Sequence, residues 1–372
     1  MGKIPKKILS FTSLFKVLTI ICLSCLLLAY LCPFVHPSTF WILPFFGLAY
    51  PIILVCTLFL LLIWIFARSK WALITLFILI IGGKLHFRMI SIGSEPEVLP
   101  TKKESFHIMS YNVRLFDLYD WTTREKYENR DSIFHYIERE NPDVICFQEF
   151  YHQDKPTEFP TRDYLIKALD IKDYHERYSH KLKGRQNFGI AMLSKYPMIA
   201  KGAVVIENDD DDNYCIYADI VKNSDTLRIY NVHLRSIKFN SGEYAVFGDE
   251  LHDPNIEKSA VRIMIDKLRI AFPKRADQAI TIIKHMETSP YPVVICGDFN
   301  DTPMSYTYNQ FCKSLNDAYK NCESGIGSTY AGRVPAGRID YIFYSPSLNS
   351  ANFKIQKEIY SDHKAISCFI YK

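Results

Sequence analysis

Hydrophobic and polar positions divide this chain unevenly. From Val17 to Ala67 there is no Asp, Glu, Lys or Arg across 51 positions. A bilayer core about 30 Å thick is crossed by roughly 20 apolar residues in a helix. The run therefore predicts two membrane spans, 17–35 and 40–67, with Pro33, His36, Pro37 and Ser38 in the turn between them. It is too long for a cleaved signal peptide or a buried core helix. Pro44 and Pro51 fall inside the second span, where they are expected to kink it. A third segment, 71–90, is uncharged to Gly83 and then carries Lys84 and Arg88, whose long stems can snorkel their charges to an interface. Three spans are favoured over two.

After a polar, proline-containing linker at 94–105, the pattern changes. Short apolar runs rich in β-branched and aromatic residues predict strands at 106–113, 143–150, 188–194, 215–221, 226–234, 292–300, 339–345 and 365–371. Helical periodicity predicts helices at 124–140, 256–271 and 274–288, the last two separated by Pro273. Strands mixed with helices in this way imply an α/β layered fold for 106–372, behind an anchor at 1–93. One internal echo stands out. The segment 141–146 (NPDVIC) leads into Phe147-Gln148-Glu149, and 291–296 (YPVVIC) leads into Gly297-Asp298-Phe299-Asn300. Two such strands in adjacent sheets would bring Glu149 and Asp298 to the same rim.

Charge sharpens the division. The whole chain has 44 basic and 40 acidic residues, but beyond Glu95 the counts are 36 and 39, a net of −3. The overall +4 belongs to the N-terminal quarter. It acts as a topological signal and gives no support to nucleic-acid binding. Lys3, Lys6, Lys7 and Lys16 put the N-terminus on the cytoplasmic side, and Arg68 with Lys70 marks a second cytoplasmic loop. Two spans would then leave the large domain inside, and three would export it. The expectation is a multi-pass protein of the cytoplasmic (inner) membrane with an extracytoplasmic domain. Of the ten cysteines, Cys312 and Cys322 flank a polar stretch and could pair if exported.

Polar residues gather at the predicted strand ends: Asn112, Glu149, His233, Asp298, Asn300, Asp340, Asp362 and His363. Carboxylates and a carboxamide are hard oxygen donors suited to Mg²⁺ or Mn²⁺, and no Cys/His pair has zinc spacing. The run Asp209–Asp212 lacks the glycine and distal glutamate of an EF-hand loop and reads as a solvated turn. Lys181, Lys183, Arg185 and Lys195 read as a solvated hairpin, and 234–257 as a substrate-side loop.

The ordered set SYNVR, FQE, NVHL, GDFND, RIDYIF and SDH resembles the endonuclease/exonuclease/phosphatase superfamily over 106–371. The resemblance implies a four-layer α/β sandwich, two mixed sheets face to face with helices outside. It further implies a divalent cation on Glu149, supported by Asn112, with Asp362 as a second-metal ligand or an orienting group. His363 would face the attacked phosphorus, held by Asp340, while Asp298 and Asn300 position the water and a phosphate oxygen. His233 would bind the phosphate. Histidine at that position resembles the deoxyribonuclease, sphingomyelinase and inositol-phosphatase members rather than the abasic-site endonucleases. The implied activity is hydrolysis of a phosphodiester in nucleic acid or phospholipid. The alternatives are a phosphomonoesterase or a catalytically silent, membrane-tethered binding domain.

Overall fold

A computed structural model describes residues 6–96, 100, 101, 103–119, 127–206, 214–237, 254–332 and 337–372. The apolar N-terminal region forms α1 (Lys6–Leu31), α2 (Leu43–Leu48), α3 (Tyr50–Phe66), α4 (Trp71–Ile81) and α5 (Gly83–Met89). Pro44 and Pro51 do not kink a span; each stands in the first turn of its helix, α2 or α3, where a missing N–H costs nothing. The segment 71–90 is broken at Gly82, and its halves are bent by 65°. Tyr30 fills the bend so closely that a Cβ on Gly82 would lie 2.1 Å from its ring. Among the described residues one helix, Thr12–Leu31, is long and apolar enough to cross a membrane, or two if the bent pair is one span. The 17-residue α3 is shorter.

Polar contacts set the direction of these helices. Trp64, near the end of α3, donates Nε1–H to Thr19 Oγ1 at 2.8 Å and stacks on Trp71 at the start of α4. At the opposite end Tyr30, Tyr50 and His86 meet. The helix α3 thus runs antiparallel to both α1 and α4.

The remainder is built from β1 (Ser91–Ile92), β2 (Ser105–Asn112), α6 (Glu128–Glu140), β3 (Val144–Gln153), α7 (Thr161–Ala168), β4 (Asp173–Leu182), β5 (Gln186–Ser194), β6 (Met198–Ala203), β7 (Tyr214–Lys222) and β8 (Asp225–His233). There follow α8 (Pro254–Met286), β9 (Val293–Asp298), α9 (Tyr306–Phe311), β10 (Asn316–Asp317), α10 (Ala318–Cys322), β11 (Ser324–Gly325), β12 (Asp340–Tyr344), β13 (Asn349–Ile355) and β14 (Ile366–Tyr371). Two six-stranded mixed sheets run β13-β14-β2-β3-β5-β4 and β6-β7-β8-β9-β12-β10. Written in these directions, the two orders match in sense at every step. β2 and β3 are parallel, as are β8 and β9, and all other neighbours are antiparallel. The echo in the sequence is therefore a topological one, with β3 and β9 in equivalent places and α6 and α8 as the crossovers.

Apolar residues facing inward from both sheets, among them Ile108, Cys146, Ile216, Ile229, Cys296 and Ile342, form the core between them. On one outer face α6 lays down Ile133, Phe134 and Ile137, and on the other α8 lays down Ala279, Ile282 and Met286. The expected four layers are present.

Several local expectations change. The first crossover helix is described from Glu128, after Tyr127 at φ +69°, while 124–126 of the expected helix lie outside the described residues; Pro273 lies inside one continuous helix instead of dividing two. The buried positions Leu268, Phe272, Ala276 and Ala279 keep helical spacing across the proline, so packing holds the helix through the lost hydrogen bond. The start of the linker is docked: just before it β1 pairs with β11, and within it the Glu95 carboxylate accepts the Asn352 N–H at 2.7 Å. Cys312 and Cys322 are both free thiols, and Cys322 is buried against the Ser350 hydroxyl, so no disulfide joins them. The acidic run 209–212 and most of the expected substrate-side loop lie outside the described residues.

Candidate active site

Strand register brings the polar strand ends to one rim. Asn112 closes β2, beside Gln148 of β3. His233 closes β8 opposite Asp298, the last residue of β9, and Asp298 in turn pairs with Asp340, the first residue of β12. His363 precedes β14 and makes an isolated bridge with Tyr330. Glu149 is not at a strand end as expected. It sits within β3 at a register shift between Phe147 and Phe150, with φ at +48°. A bulge of this kind re-aims a side chain out of the ladder, here toward the rim.

The contacts are close. Asn112 Nδ2 donates to Asp298 Oδ2 at 3.0 Å and to Glu149 Oε1 at 3.4 Å. Both oxygens of Asp340 lie within hydrogen-bond reach of His363 Nδ1, at 3.1 and 3.0 Å. On the other side of the ring, His363 Nε2 is 3.5 Å from Asp298 Oδ2. His233 Nε2 lies 3.7 Å from Asp298 and 3.9 Å from Glu149. Asn300 caps the cluster, its N–H donating to Asp298 Oδ1 at 2.8 Å and its amide to Leu234 O at 3.1 Å. Asp362 faces Arg114 at 3.6 Å and accepts from the Ser361 hydroxyl, 3.3 Å from its Oδ1. Seven of the eight residues singled out in the sequence touch one another directly, and Asp362 joins them through Ser361, whose hydroxyl also reaches Asn112 O at 2.9 Å, in one cluster drawn from both sheets.

The electrostatics are uneven across it. Burial works against a charged His363, but the carboxylates of Asp340 and Asp298 outweigh it and push the imidazole well above its usual range. Burial, then the nearby Asp340 carboxylate, raises Asp298. Burial and the neighbouring Asp362 carboxylate push Glu149 up to about 7. Asp298, Asp340 and His363 also present ligand atoms within 4.8 Å of one another. A cation there would compete with the His363 ring, which already stands between the two carboxylates at 3.0 and 3.5 Å. The Glu149 side fits a hard cation better, because its oxygen donors carry negative charge that neighbouring carboxylates aggravate.

Other residues that shape the rim carry no comparable sequence signal. Gln148 and Asn231 tie the sheets together beneath it. Gln148 Nε2 donates to Asn231 Oδ1 at 2.6 Å, and Asn231 Nδ2 donates to the carbonyls of Phe147 and Ala191, each at 2.9 Å. Both lie inside the quoted motifs but read there as spacers. Thr329 is fully buried, and its hydroxyl oxygen accepts the backbone N–H of Ile339 and Asp340, each at 3.1 Å. Tyr330 sets its ring edge-on to His363 with centroids 5.0 Å apart. The basic residues 181–185 lie in the β4–β5 hairpin, where Lys181 pairs with Asp154 at the surface.

A family model described as the endonuclease/exonuclease/phosphatase family matches residues 109–363. A second, described as a domain of unknown function, matches 12–89. No curated protein matches. Solved structures of similar fold include the catalytic domain of human Nocturnin with a bound sulfate anion (17% identical, 73% of this chain and 95% of that one covered, TM-score 0.52). An endonuclease/exonuclease/phosphatase family protein from Leptotrichia buccalis is 20% identical, with 72% of this chain and all of that one covered and a TM-score of 0.50. A mannosyl-6-phosphatase from Bacteroides thetaiotaomicron is 17% identical, with 72% and 100% covered and a TM-score of 0.50. At these identities the likeness is one of fold.

Proposed function

Because the chain belongs to the endonuclease/exonuclease/phosphatase family, we propose that it hydrolyses phosphate esters with the help of a divalent cation, Mg²⁺ or Mn²⁺. The preferred bond is a phosphodiester, in nucleic acid or a phospholipid headgroup. The observation that carries this reading is the convergence of Asn112, Glu149, His233, Asp298, Asn300, Asp340, Asp362 and His363 on one rim, linked by the contacts given above.

Glu149, with Asn112 and Asp362, would hold the cation, which when bound would neutralise charge on a phosphate oxygen. Asp340 accepts the Nδ1–H of His363 and keeps the imidazole charged, so the Nε2–H can be given to a phosphate oxygen. With both carboxylates favouring its charged form, the ring is the poorer acceptor for the proton of the attacking water. Asp298, buried and raised in pKa, is the better base for that proton. Asn300 fixes its carboxylate through the backbone N–H, and His233 supplies a further polar contact for the phosphate. Alignment of water opposite the leaving group, with charge stabilised on the equatorial oxygens, is what in-line displacement requires.

The same reading divides the chain into a membrane anchor at 1–93, a linker at 94–105 and the hydrolase domain at 106–372. It makes the anchor multi-pass in the cytoplasmic membrane, with the domain outside. By length only one described helix, or two with the bent pair, suffices to cross, and two features support a multi-pass anchor nonetheless. The antiparallel run of α3 between α1 and α4 puts Lys16, Arg68 and Lys70 toward the end away from the domain, and large apolar side chains such as Ile52, Phe59, Phe77 and Ile80 are 61–69% exposed.

The decisive experiment is a substrate panel. Full-length protein in detergent, with Mg²⁺ or Mn²⁺, is assayed against single- and double-stranded nucleic acid, phospholipid vesicles, small diesters and monoesters. Turnover of at least one ester, abolished by chelator and by Glu149→Ala and His363→Ala, is the expected outcome. Inertness against the whole panel would favour a tethered binding domain instead.

A further inference from the structure

The loop that carries Asp298 and Asn300 is gripped from two directions by groups outside the rim. Beyond Asn300 the chain continues through Asp301 to Ser305, and Met304 is wholly buried in a cluster made by the N-terminal helices, with Leu26 and Ala29 of α1, Tyr50 of α3, Leu79 of α4 and Leu85 of α5. The backbone of α2 closes over the same point: a Cβ on Gly47 would lie 3.2 Å from Met304 O. Asn309, one turn into α9, extends the seam by donating to Pro33 O at 2.8 Å and accepting from Arg88 at 2.7 Å.

From the other side comes Arg275 of α8, 1% exposed. Its Nε–H donates to Arg235 O at 2.7 Å, and its Nη1 stands 3.9 Å from Asp301 Oδ1. One guanidinium therefore joins the segment after His233 to the segment after Asn300. Those two segments are already tied by the Asn300 amide on Leu234 O. The helix that carries Arg275 is itself seated on the N-terminal region, through Phe272 on Phe45, Arg269 on Trp41 and Asp277 on His36.

We propose that the N-terminal helices are a working part of the hydrolytic site, and that Met304 and Arg275 are positioning residues that hold the Asp298–Asn300 loop against His233. The proposal rests on the function given above for its kinetic consequence only. A socket that grips the fourth residue beyond Asn300, and a buried cation that spans both loops, restrict the loop motion that would cost catalytic alignment. Neither residue touches the reacting phosphate, so loss of either should lower kcat and leave KM nearly unchanged.

The test uses the full chain in detergent and three substitutions. Met304→Ala empties the socket, Met304→Leu refills it, and Arg275→Met removes the charge while keeping much of the volume. The expected kcat is reduced at least tenfold in Met304→Ala and Arg275→Met, with KM within threefold of wild type, while Met304→Leu recovers at least half of wild-type kcat. Amide hydrogen exchange supplies a readout that needs no activity. Exchange at 234–236 and 298–302 should rise at least tenfold in both defective variants, while 144–150 and 366–371 exchange as in wild type. Unchanged exchange in the two loops would overturn the proposal. So would a global rise in every strand, which marks simple loss of folding. An inert wild-type protein would overturn the hydrolase reading alone, and the exchange experiment would still decide whether the N-terminal helices hold the loop.

Discussion

Replacing Asp340 by Asn isolates the electrostatic side of the candidate site. The change is close to isosteric, and the backbone at this position is pinned independently of the side chain: Thr329 accepts its N–H, and β12 stays in register with β9. What is lost is a full negative charge about 3 Å from His363 Nδ1. Across an effective dielectric of about 20, a unit charge at that distance contributes about 5 kcal/mol, or close to four pH units of imidazole pKa. Asp298 remains at 3.5 Å and returns part of this. Burial opposes the charged ring throughout.

The sign follows directly. In the wild type the Asp340 and Asp298 carboxylates outweigh burial and favour the charged imidazole of His363 above its usual range, so on the proposed mechanism its contribution is expected to be flat across neutrality. In Asp340→Asn its pKa falls, and the positive charge is lost as pH rises through the lowered value. With saturating Mg²⁺ and a small phosphodiester such as bis(p-nitrophenyl) phosphate, kcat at pH 8 should fall by about 10³, a little over 4 kcal/mol. The deficit should shrink as pH is lowered toward 6, while the wild type shows no such recovery. A melting temperature close to wild type would confirm that the loss is not one of folding. If the variant keeps kcat within tenfold of wild type at pH 8, or shows the same pH profile, the Asp340–His363 pair does not do what is argued for it.

The other expectations address separate parts of the molecule. Glu149, pushed up to about 7, must lose a proton to accept a cation. Mn²⁺ affinity measured by calorimetry should therefore fall by about tenfold for each pH unit below 7 and level off above it. Asn231→Ala removes a hydrogen bond from each of the buried Phe147 and Ala191 carbonyls and the shortest of the three made by the Gln148 amide, and urea unfolding should show a loss of about 2–3 kcal/mol with an unchanged m-value. Arg338→Ala strands the buried Asp317 carboxylate now 2.6 Å away, and the same assay should show a loss of about 3–5 kcal/mol. A periplasmic reporter fused after Glu104 should be active. Activity of a cytoplasmic reporter alone at that position would remove the three-crossing anchor.

What the sequence made legible follows from the range of its signals. Apolar strands such as β3 and β9 announce themselves because β-branched runs and flanking turns are local properties, and they are covered on both faces. The strand β4 (DYHERYSHKL) gives no strand signal for the opposite reason. It is the edge strand of its sheet, half-buried at most, and its polar residues hide any alternation. Pro273 misled because a proline is a local stop signal, while the helix around it is held by packing on a sheet formed from distant residues.

The candidate site divides along the same line. Asn112, His233, Asp298 and Asp340 stand where a strand pattern breaks, so a polar residue there is conspicuous. Glu149 was visible as a carboxylate, but the bulge that aims it appears only in the pairing of β3 with β5. Thr329, Arg275 and Met304 lie inside stretches that read as ordinary loop or helix, and each acquires its role from partners outside its own segment, those of Arg275 and Met304 far away in the chain. For Met304 those partners run from Leu26 to Leu85, in the segment read from its hydropathy as an anchor and nothing more. A bundle whose only task is to tether would meet its cargo through a linker. Here it encloses a side chain four residues beyond Asn300, so exchanging these helices for an unrelated apolar helix should loosen the loop that carries Asn300.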